Sequence, residues 1–77
     1  MTFKSWLKQS KYIKENNKCG DFARDIISDK NFPRAVEKYV IHKYLSSYFD
    51  SDLERYFEFM YSDFIKFISR TYSDEED

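Results

Sequence analysis

The chain has 77 residues, with 13 Lys and Arg against 14 Asp and Glu, so its formal net charge at neutral pH is −1. Aromatic residues make up 21% of the sequence, which excludes an intrinsically disordered chain and is typical of a small folded domain. A single Gly and a single Pro exclude collagen-like and linker-like sequences, and a single Cys excludes an intrachain disulfide.

The first predicted helix begins after Thr2, a residue type that often caps helix N-termini, and ends near Ser10. Its apolar residues repeat at i, i+3 and i+4, which predicts one buried face. These residues are Phe3, Trp6 and Leu7. The next segment, residues 11–19, contains two adjacent asparagines and predicts a connection whose Tyr12 and Ile13 fold back onto the core.

The second predicted helix covers residues 20–28, with Asp21 in its first turn, where a carboxylate suits the helix dipole. Its predicted buried residues are Phe22, Ala23, Ile26 and Ile27. The helical pattern then ends, and Pro33 follows in the connection to the next helix. Because the residue before a proline avoids the helical conformation, Phe32 is predicted to be extended with its ring pointing inward.

The third predicted helix covers residues 35–47 and carries two apolar stripes. One stripe passes through Val36 and Tyr39, and the other passes through Ile41 and Leu45. Both stripes have helical spacing, so the sequence does not decide which of them is buried.

The fourth predicted helix, residues 51–72, is the longest element. Ser51 and Glu54 match a capping box, in which the two side chains satisfy free backbone amides at the helix N-terminus. The apolar residues of this helix alternate at spacings of four and three, which predicts one continuous buried face. They are Leu53, Phe57, Met60, Phe64 and Phe67. At about 1.5 Å per residue the helix is about 31 Å long, and we expect the other three helices to pack against it.

These elements predict an all-α fold: a compact four-helix bundle with a long C-terminal helix, forming a single domain over residues 1–72. Residues 73–77 carry four acids and are expected to form a disordered tail. Charge is distributed unevenly, with a net charge of +5 in residues 1–49 and −6 in residues 50–77. Such polarity can steer a charged partner or pair two copies head to tail.

The sequence contains no catalytic motif. His42 is the only histidine and Cys19 the only cysteine, so a zinc site or a nucleophile–base pair would need a second chain. A helix dipole next to Cys19 could lower the pKa of its thiol, but no second cysteine is present to resolve an oxidised form. We therefore expect no enzyme activity, no cofactor, no bound metal and no small-molecule substrate.

Two surfaces are candidates for binding. Five cations within fifteen residues can neutralise phosphates, although lysines at this density are also common on solvated helix faces. The five are Lys4, Lys8, Lys11, Lys14 and Lys18. The second candidate is Phe59, which lies outside the apolar face of the fourth helix and, with Tyr56 or Tyr61 beside it, would form a contact patch.

The sequence also predicts the compartment. No stretch approaches the roughly 18 consecutive apolar residues of a membrane span, and the charged N-terminus lacks the apolar region of a signal peptide. Trp6 could anchor the first helix on an anionic membrane, but that helix is short and its tryptophan is expected in the core. We therefore expect a cytoplasmic protein that does not bind membranes.

Several short motifs resemble those of a known family. They are Phe3-x-x-Trp6-Leu7, Asp21-Phe22-Ala23, Asp29-x-x-Phe32-Pro33 and Tyr44-Leu45. Over residues 3–68 the chain resembles the small YozE-like proteins of low-GC Gram-positive bacteria. The resemblance implies a fold similar to the sterile alpha motif (SAM) domain, a bundle of four helices that ends in a long one. It also implies an interaction module, because SAM-like domains in general self-associate, bind other proteins or, in a few cases, bind nucleic acid.

The matched positions are mainly apolar, so the resemblance transfers no catalytic or ligand-binding residue. The expected function is that of a non-enzymatic interaction module whose partner is a protein, including a second copy of the chain. The alternative is nucleic-acid binding through the basic N-terminal half, which would weaken steeply as the ionic strength rises.

Overall fold

A computed structural model describes the backbone of residues 1–76 and the side chains of residues 1–70. The described backbone contains four α-helices and no strand, which confirms the predicted all-α fold. The helices are α1 (Phe3–Lys8), α2 (Lys18–Ser28), α3 (Lys38–Leu45) and α4 (Ser51–Glu76). A short 3₁₀ helix, Lys11–Lys14, connects α1 to α2 and is called the 3₁₀ turn below.

Helix α1 forms as predicted because Thr2 caps it. The Thr2 hydroxyl accepts a hydrogen bond from the backbone amide of Ser5 at 3.2 Å, which satisfies one of the free amides of the first turn. The predicted apolar face of α1 is buried. Phe3 lies at the centre of the aromatic core, with its ring centroid 5.5–6.3 Å from those of Trp6, Phe32 and Phe64.

The connection between α1 and α2 folds back onto the core through Tyr12, which is buried as predicted. Helix α2 begins two residues earlier than predicted, because the Asn17 side chain accepts a hydrogen bond from the amide of Gly20 at 2.9 Å and caps the helix. The Arg24 guanidinium donates to the carbonyl oxygens of Ile13 and Glu15, both at 2.9 Å, and so fastens the connection to α2.

Helix α3 begins three residues later and ends two residues earlier than predicted. Two carbonyl groups that a longer helix would use accept tertiary hydrogen bonds instead. The Ala35 carbonyl accepts from the amide of Phe3 at 3.1 Å, and the Val36 carbonyl accepts from the Tyr61 hydroxyl at 2.6 Å. The stripe through Ile41 is the buried one, whereas Tyr39 is 75% exposed.

Helix α4 carries the apolar face on which the bundle is built, and Phe57, Met60 and Phe64 are fully buried. The prediction that Phe67 belongs to the same buried face is wrong, because this side chain is 41% exposed. Phe67 keeps the helical register of the face but lies almost one turn beyond Phe64. At this position Trp6 and Lys11 line a groove beside it and do not cover it.

The predicted capping box at the start of α4 is also wrong by one residue. Asp50 caps the helix, since its carboxylate accepts a hydrogen bond from the amide of Leu53 at 2.8 Å and its carbonyl accepts from that of Glu54 at 3.1 Å. Aspartate is as good a cap as serine, and at this position it also faces Lys18.

The backbone of α4 continues to Glu76, beyond the predicted end near residue 72. A disordered tail was predicted for residues 73–77. The side chains of these residues lie outside the described part of the structure, so this stays a prediction. Among the residues that the structure describes, none of the helices combines the length and the apolar composition that crossing a bilayer requires.

Candidate functional site

The structure separates the five predicted lysines into two groups. Lys4 and Lys18 are engaged within the chain: the Lys4 ammonium donates to the Asp29 carbonyl at 2.5 Å, and the Lys18 ammonium lies 3.3 Å from Asp50 and 3.1 Å from Asp52. These two lysines stabilise the fold locally, and their charges are less available to a phosphate.

The other three lysines are exposed and belong to the end of α1 and the 3₁₀ turn. Lys8, Lys11 and Lys14 make no ion pair with any residue whose side chain the structure describes. The Lys11 ammonium lies 5.5 Å from the centre of the Tyr12 ring, within the range of a cation–π contact. The cationic surface predicted from five lysines is therefore concentrated in residues 8–14.

Ion pairs join cations of residues 1–49 to acids of residues 50–77, and so neutralise part of the charge difference between the two halves of the sequence. Besides the two contacts of Lys18, the Lys38 ammonium lies 2.6 Å from Glu58 on α4. His42 Nε2 lies 3.8 Å from the Glu54 carboxylate. Because these acids of α4 face partners in their own chain, the helix is a weaker acidic surface than its sequence indicates.

Helix α4 presents a second face beside the buried one, and we call it the α4 flank. Its residues recur every three or four positions, with two of them, Lys66 and Phe67, adjacent in one turn, so they lie along one side of the helix. They are Tyr56, Phe59, Asp63, Lys66, Phe67 and Arg70. Phe59, the predicted contact residue, is 55% exposed on this flank, and Phe67 is the second exposed aromatic ring there.

Two shallow grooves run along the α4 flank. The first, about 430 Å³, is lined by Tyr56 and Phe59 on α4 and by Glu15 and Cys19 on the opposite wall. The second groove is about 420 Å³ and lies towards the C-terminal end of α4. Its lining includes Trp6, Lys11, Phe67 and Arg70. Both grooves share Tyr12, Asp63 and Lys66, so they lie next to each other along the α4 flank, and we call the pair of grooves the trough.

The Tyr12–Asp63 contact separates the two halves of the trough. The Tyr12 hydroxyl donates a hydrogen bond to the Asp63 carboxylate across 51 residues of sequence. Burial raises the pKa of Tyr12 well above its ordinary value, and the hydrogen bond to Asp63 raises it further. The phenol therefore stays protonated at neutral pH, and its contact fixes the 3₁₀ turn against α4.

Cys19 and His42, the two residues singled out for chemistry, do not lie together in one site. Burial raises the pKa of the Cys19 thiol, and the nearby Glu15 carboxylate raises it further, so the expected lowering by the helix dipole is not observed. The His42 ring packs against Phe49 and Phe57, with centroids 5.2 and 6.0 Å apart. Within the described residues, no group of three His, Cys, Asp or Glu side chains could hold a metal ion.

A third groove, about 340 Å³, lies on another side of the bundle between α2 and the ends of α3 and α4. It is lined by apolar side chains that include Phe22 and Tyr48, with Asp25 and Asp29 also in its lining. The Tyr44 hydroxyl donates to the Asp29 carboxylate at 2.5 Å, which raises the pKa of Tyr44 to about 12 and holds that of Asp29 below its usual range.

Of the candidate residues predicted from the sequence, Phe59 and Lys11 line the trough, whereas Lys66, Phe67 and Arg70 line it without having been predicted as site residues. The apolar spacing of the last helix predicts Phe67 in the core, and no sequence motif singles out Lys66 or Arg70. A signal was available, because Lys66 and Phe67 follow Asp63 by three and four positions, and Arg70 follows them by four and three, on the same side of the helix as Phe59. The contribution of Tyr12 and Lys11 depends on tertiary folding and carries no such signal.

A model of the family described as the YozE SAM-like fold matches residues 2–73. The match covers nearly the whole chain, and the chain belongs to this family. Membership confirms the resemblance inferred from the short motifs and the SAM-like form of the bundle. No curated protein and no solved structure shows a significant match to the chain.

Proposed function

We propose that this member of the YozE SAM-like family is a non-enzymatic interaction domain whose partner is another protein, bound along the trough. One observation carries the proposal: two phenylalanine rings, Phe59 and Phe67, are 55% and 41% exposed on the same flank of α4, each beside a groove. Exposed aromatic rings next to concave surface and rimmed by polar groups are typical of protein-binding patches.

The energetics favour a protein surface that covers both rings together. Burying the exposed half of one phenylalanine ring contributes about 1 kcal/mol, by the usual area relation. Two rings alone do not offset the loss of translational and rotational freedom on association, which costs at least about 4 kcal/mol. A partner must therefore also fill the grooves and pair with the charges along the flank.

Nucleic-acid binding is the second candidate, and one observation favours it. Lys8, Lys11 and Lys14 are exposed and lack an ion pair among the described side chains, so they are available to phosphates. The Glu15 and Asp63 carboxylates line the adjacent first groove and would repel a phosphate backbone along that half of the trough. A protein partner is therefore the better fit.

Site-specific photo-crosslinking in cells that express the protein natively tests the proposal. A photoreactive phenylalanine analogue replaces Phe59 or, in a second variant, Tyr39, which is 75% exposed on α3 and serves as the matched control. We expect discrete protein adducts from position 59 and none from position 39. Equal adducts from both positions, or none from either, would contradict the proposal.

Fluorescence anisotropy with single-stranded and double-stranded DNA and RNA at low salt tests the second candidate. If the lysines bind phosphates, affinity falls steeply with salt and is lost when Lys8, Lys11 and Lys14 are changed to glutamate. Sedimentation of the pure protein over a concentration series shows whether the partner is a second copy of the chain.

The proposal assigns the domain to the bacterial cytoplasm. A buried, unpaired Cys19 is compatible with a reducing compartment, where small domains do without disulfides. Cell fractionation followed by immunoblotting checks this assignment, and recovery in a secreted fraction would contradict it.

A further inference from the structure

The second groove of the trough is cationic, and this charge points to the chemistry of the partner. We propose that the trough receives an amphipathic helix that carries acidic residues at the end lying over the second groove. The inference rests on the proposed function, and it adds the charge, the shape and the position of the bound segment.

Three cations line the second groove. They are Lys11 from the 3₁₀ turn and Lys66 and Arg70 from α4. None of the three forms an ion pair with a described side chain. The described lining residues of the groove include one carboxylate, that of Asp63, which already accepts a hydrogen bond from Tyr12. Among its described lining residues, the second groove therefore has an excess of positive charge, and acidic side chains of a partner would pair with it.

An apolar ring lies among these cations. Phe67 is 41% exposed in the second groove, and Trp6, which is almost fully buried, forms part of the adjacent wall. A polyanion without apolar groups would leave the exposed part of the Phe67 ring in water. A segment with apolar residues on one face and acids beside them would cover the ring and pair with the charges at once.

The shape of the trough fits a helix. Tyr56 and Arg70 are fourteen positions apart on α4, and at about 1.5 Å per residue the flank between them is about 21 Å long. A helix of about four turns has this length. The described backbone presents no strand, so an extended peptide would find no sheet edge with which to form backbone hydrogen bonds. A helix satisfies its backbone hydrogen bonds internally and needs no such edge.

The two other occupants fit less well. A second copy of the chain would bring an identical α4 flank, on which Lys66 and Arg70 form no ion pair with a described side chain, and like charges would face each other. A nucleic-acid strand along the trough would meet the Glu15 and Asp63 carboxylates of the first groove.

The experiment measures binding of synthetic fluorescent peptides to the full-length protein by anisotropy. The probe is a capped helical peptide of about 14 residues with leucines on one face and glutamates in one half. Matched peptides carry lysine or glutamine in place of glutamate, and single-stranded oligothymidine represents nucleic acid. We expect the glutamate peptide to bind about tenfold more tightly than the lysine peptide, with an affinity that falls as salt screens the pairs.

Two triple variants locate the binding surface. Changing Lys11, Lys66 and Arg70 to glutamate should lower the affinity for the glutamate peptide about tenfold or more, because three attractive contacts become repulsive. Changing another set of exposed cations to glutamate is the control and should alter affinity less than about twofold. This control set is Lys30, Arg34 and Lys43. All six side chains are at least partly solvated, and circular dichroism verifies that both variants fold.

The possible results separate the two levels of the proposal. Equal binding of the lysine and glutamate peptides, no binding of the glutamate peptide at millimolar concentration, or preferential binding of oligothymidine would each overturn the acidic-helix inference. If position 59 still gives protein adducts in cells, the interaction domain stands and only the partner's chemistry is wrong. If no adducts form either, the proposed function is wrong as well.

Discussion

Replacing Phe64 with alanine tests whether the fold depends on the apolar face of α4. The Phe64 side chain is fully buried, and its ring lies 5.5 Å from those of Phe3 and Trp6 and 5.8 Å from that of Tyr61. Truncating a buried phenylalanine removes these contacts and leaves a cavity, which costs about 3–5 kcal/mol. A domain of this size is stable by about 4–12 kcal/mol in total, so the variant should lose much or all of its stability.

Guanidinium unfolding followed by circular dichroism measures the loss. Phe64→Leu keeps part of the packing, remains folded more readily and should lose less stability than Phe64→Ala. Phe59→Ala on the exposed flank is the matched control, and it should change the free energy of unfolding by no more than about 0.5 kcal/mol. If Phe64→Ala and Phe59→Ala had similar stabilities, the assignment of the core face of α4 would be wrong.

Two further predictions concern local backbone contacts. Gly20→Ala should destabilise the protein by about 1–3 kcal/mol or more in thermal melts, because the new Cβ would lie 1.9 Å from the Glu15 carbonyl oxygen. Asp25→Ala is the control; it changes an exposed position of the same helix and should be nearly neutral. The hydrogen bond from the Leu53 amide lowers the pKa of Asp50, so its charged form stabilises the fold above the ordinary carboxyl pKa and this stabilisation is lost as the pH falls below it. The difference in melting temperature between the wild type and Asp50→Ala should therefore shrink below about pH 4, and a constant difference would contradict the assigned cap.

The parts of the fold that follow from local pattern were predictable from the sequence. The Thr2 cap, the buried face of α1 and the fully buried residues of α4 all depend on residue spacing and on side chains close in sequence. The inward position of Phe32 follows from the proline after it, and the ring is buried.

The errors occurred where tertiary contacts compete with local preference. Helix α3 is shorter than its pattern predicts because the carbonyl groups of Ala35 and Val36 accept hydrogen bonds from Phe3 and Tyr61. Neither donor can be identified from the sequence of the α3 segment itself. The cap of α4 moved from Ser51 to the preceding residue, since both residue types cap helices well and local preference does not discriminate between them.

The candidate site was only half predictable for the same reason. The run of lysines is visible in the sequence, but Lys4 and Lys18 bind acceptors that are 25 and 32 or more residues away, which removes them from the cationic surface. Lys66 and Arg70 join Lys11 only because the 3₁₀ turn packs against α4. The trough is thus a product of the fold, assembled from two segments whose charges are unremarkable when each is read alone.

The length of α4 connects the fold with the proposed binding surface. The apolar register of this helix continues from Phe64 to Phe67, whereas the elements that cover it bury only the first of these rings. Two cations, Lys66 and Arg70, lie beside Phe67 on the same side of the helix. In the proposed complex, an apolar surface of the partner covers the exposed part of the Phe67 ring, and acidic side chains on that surface pair with the two cations.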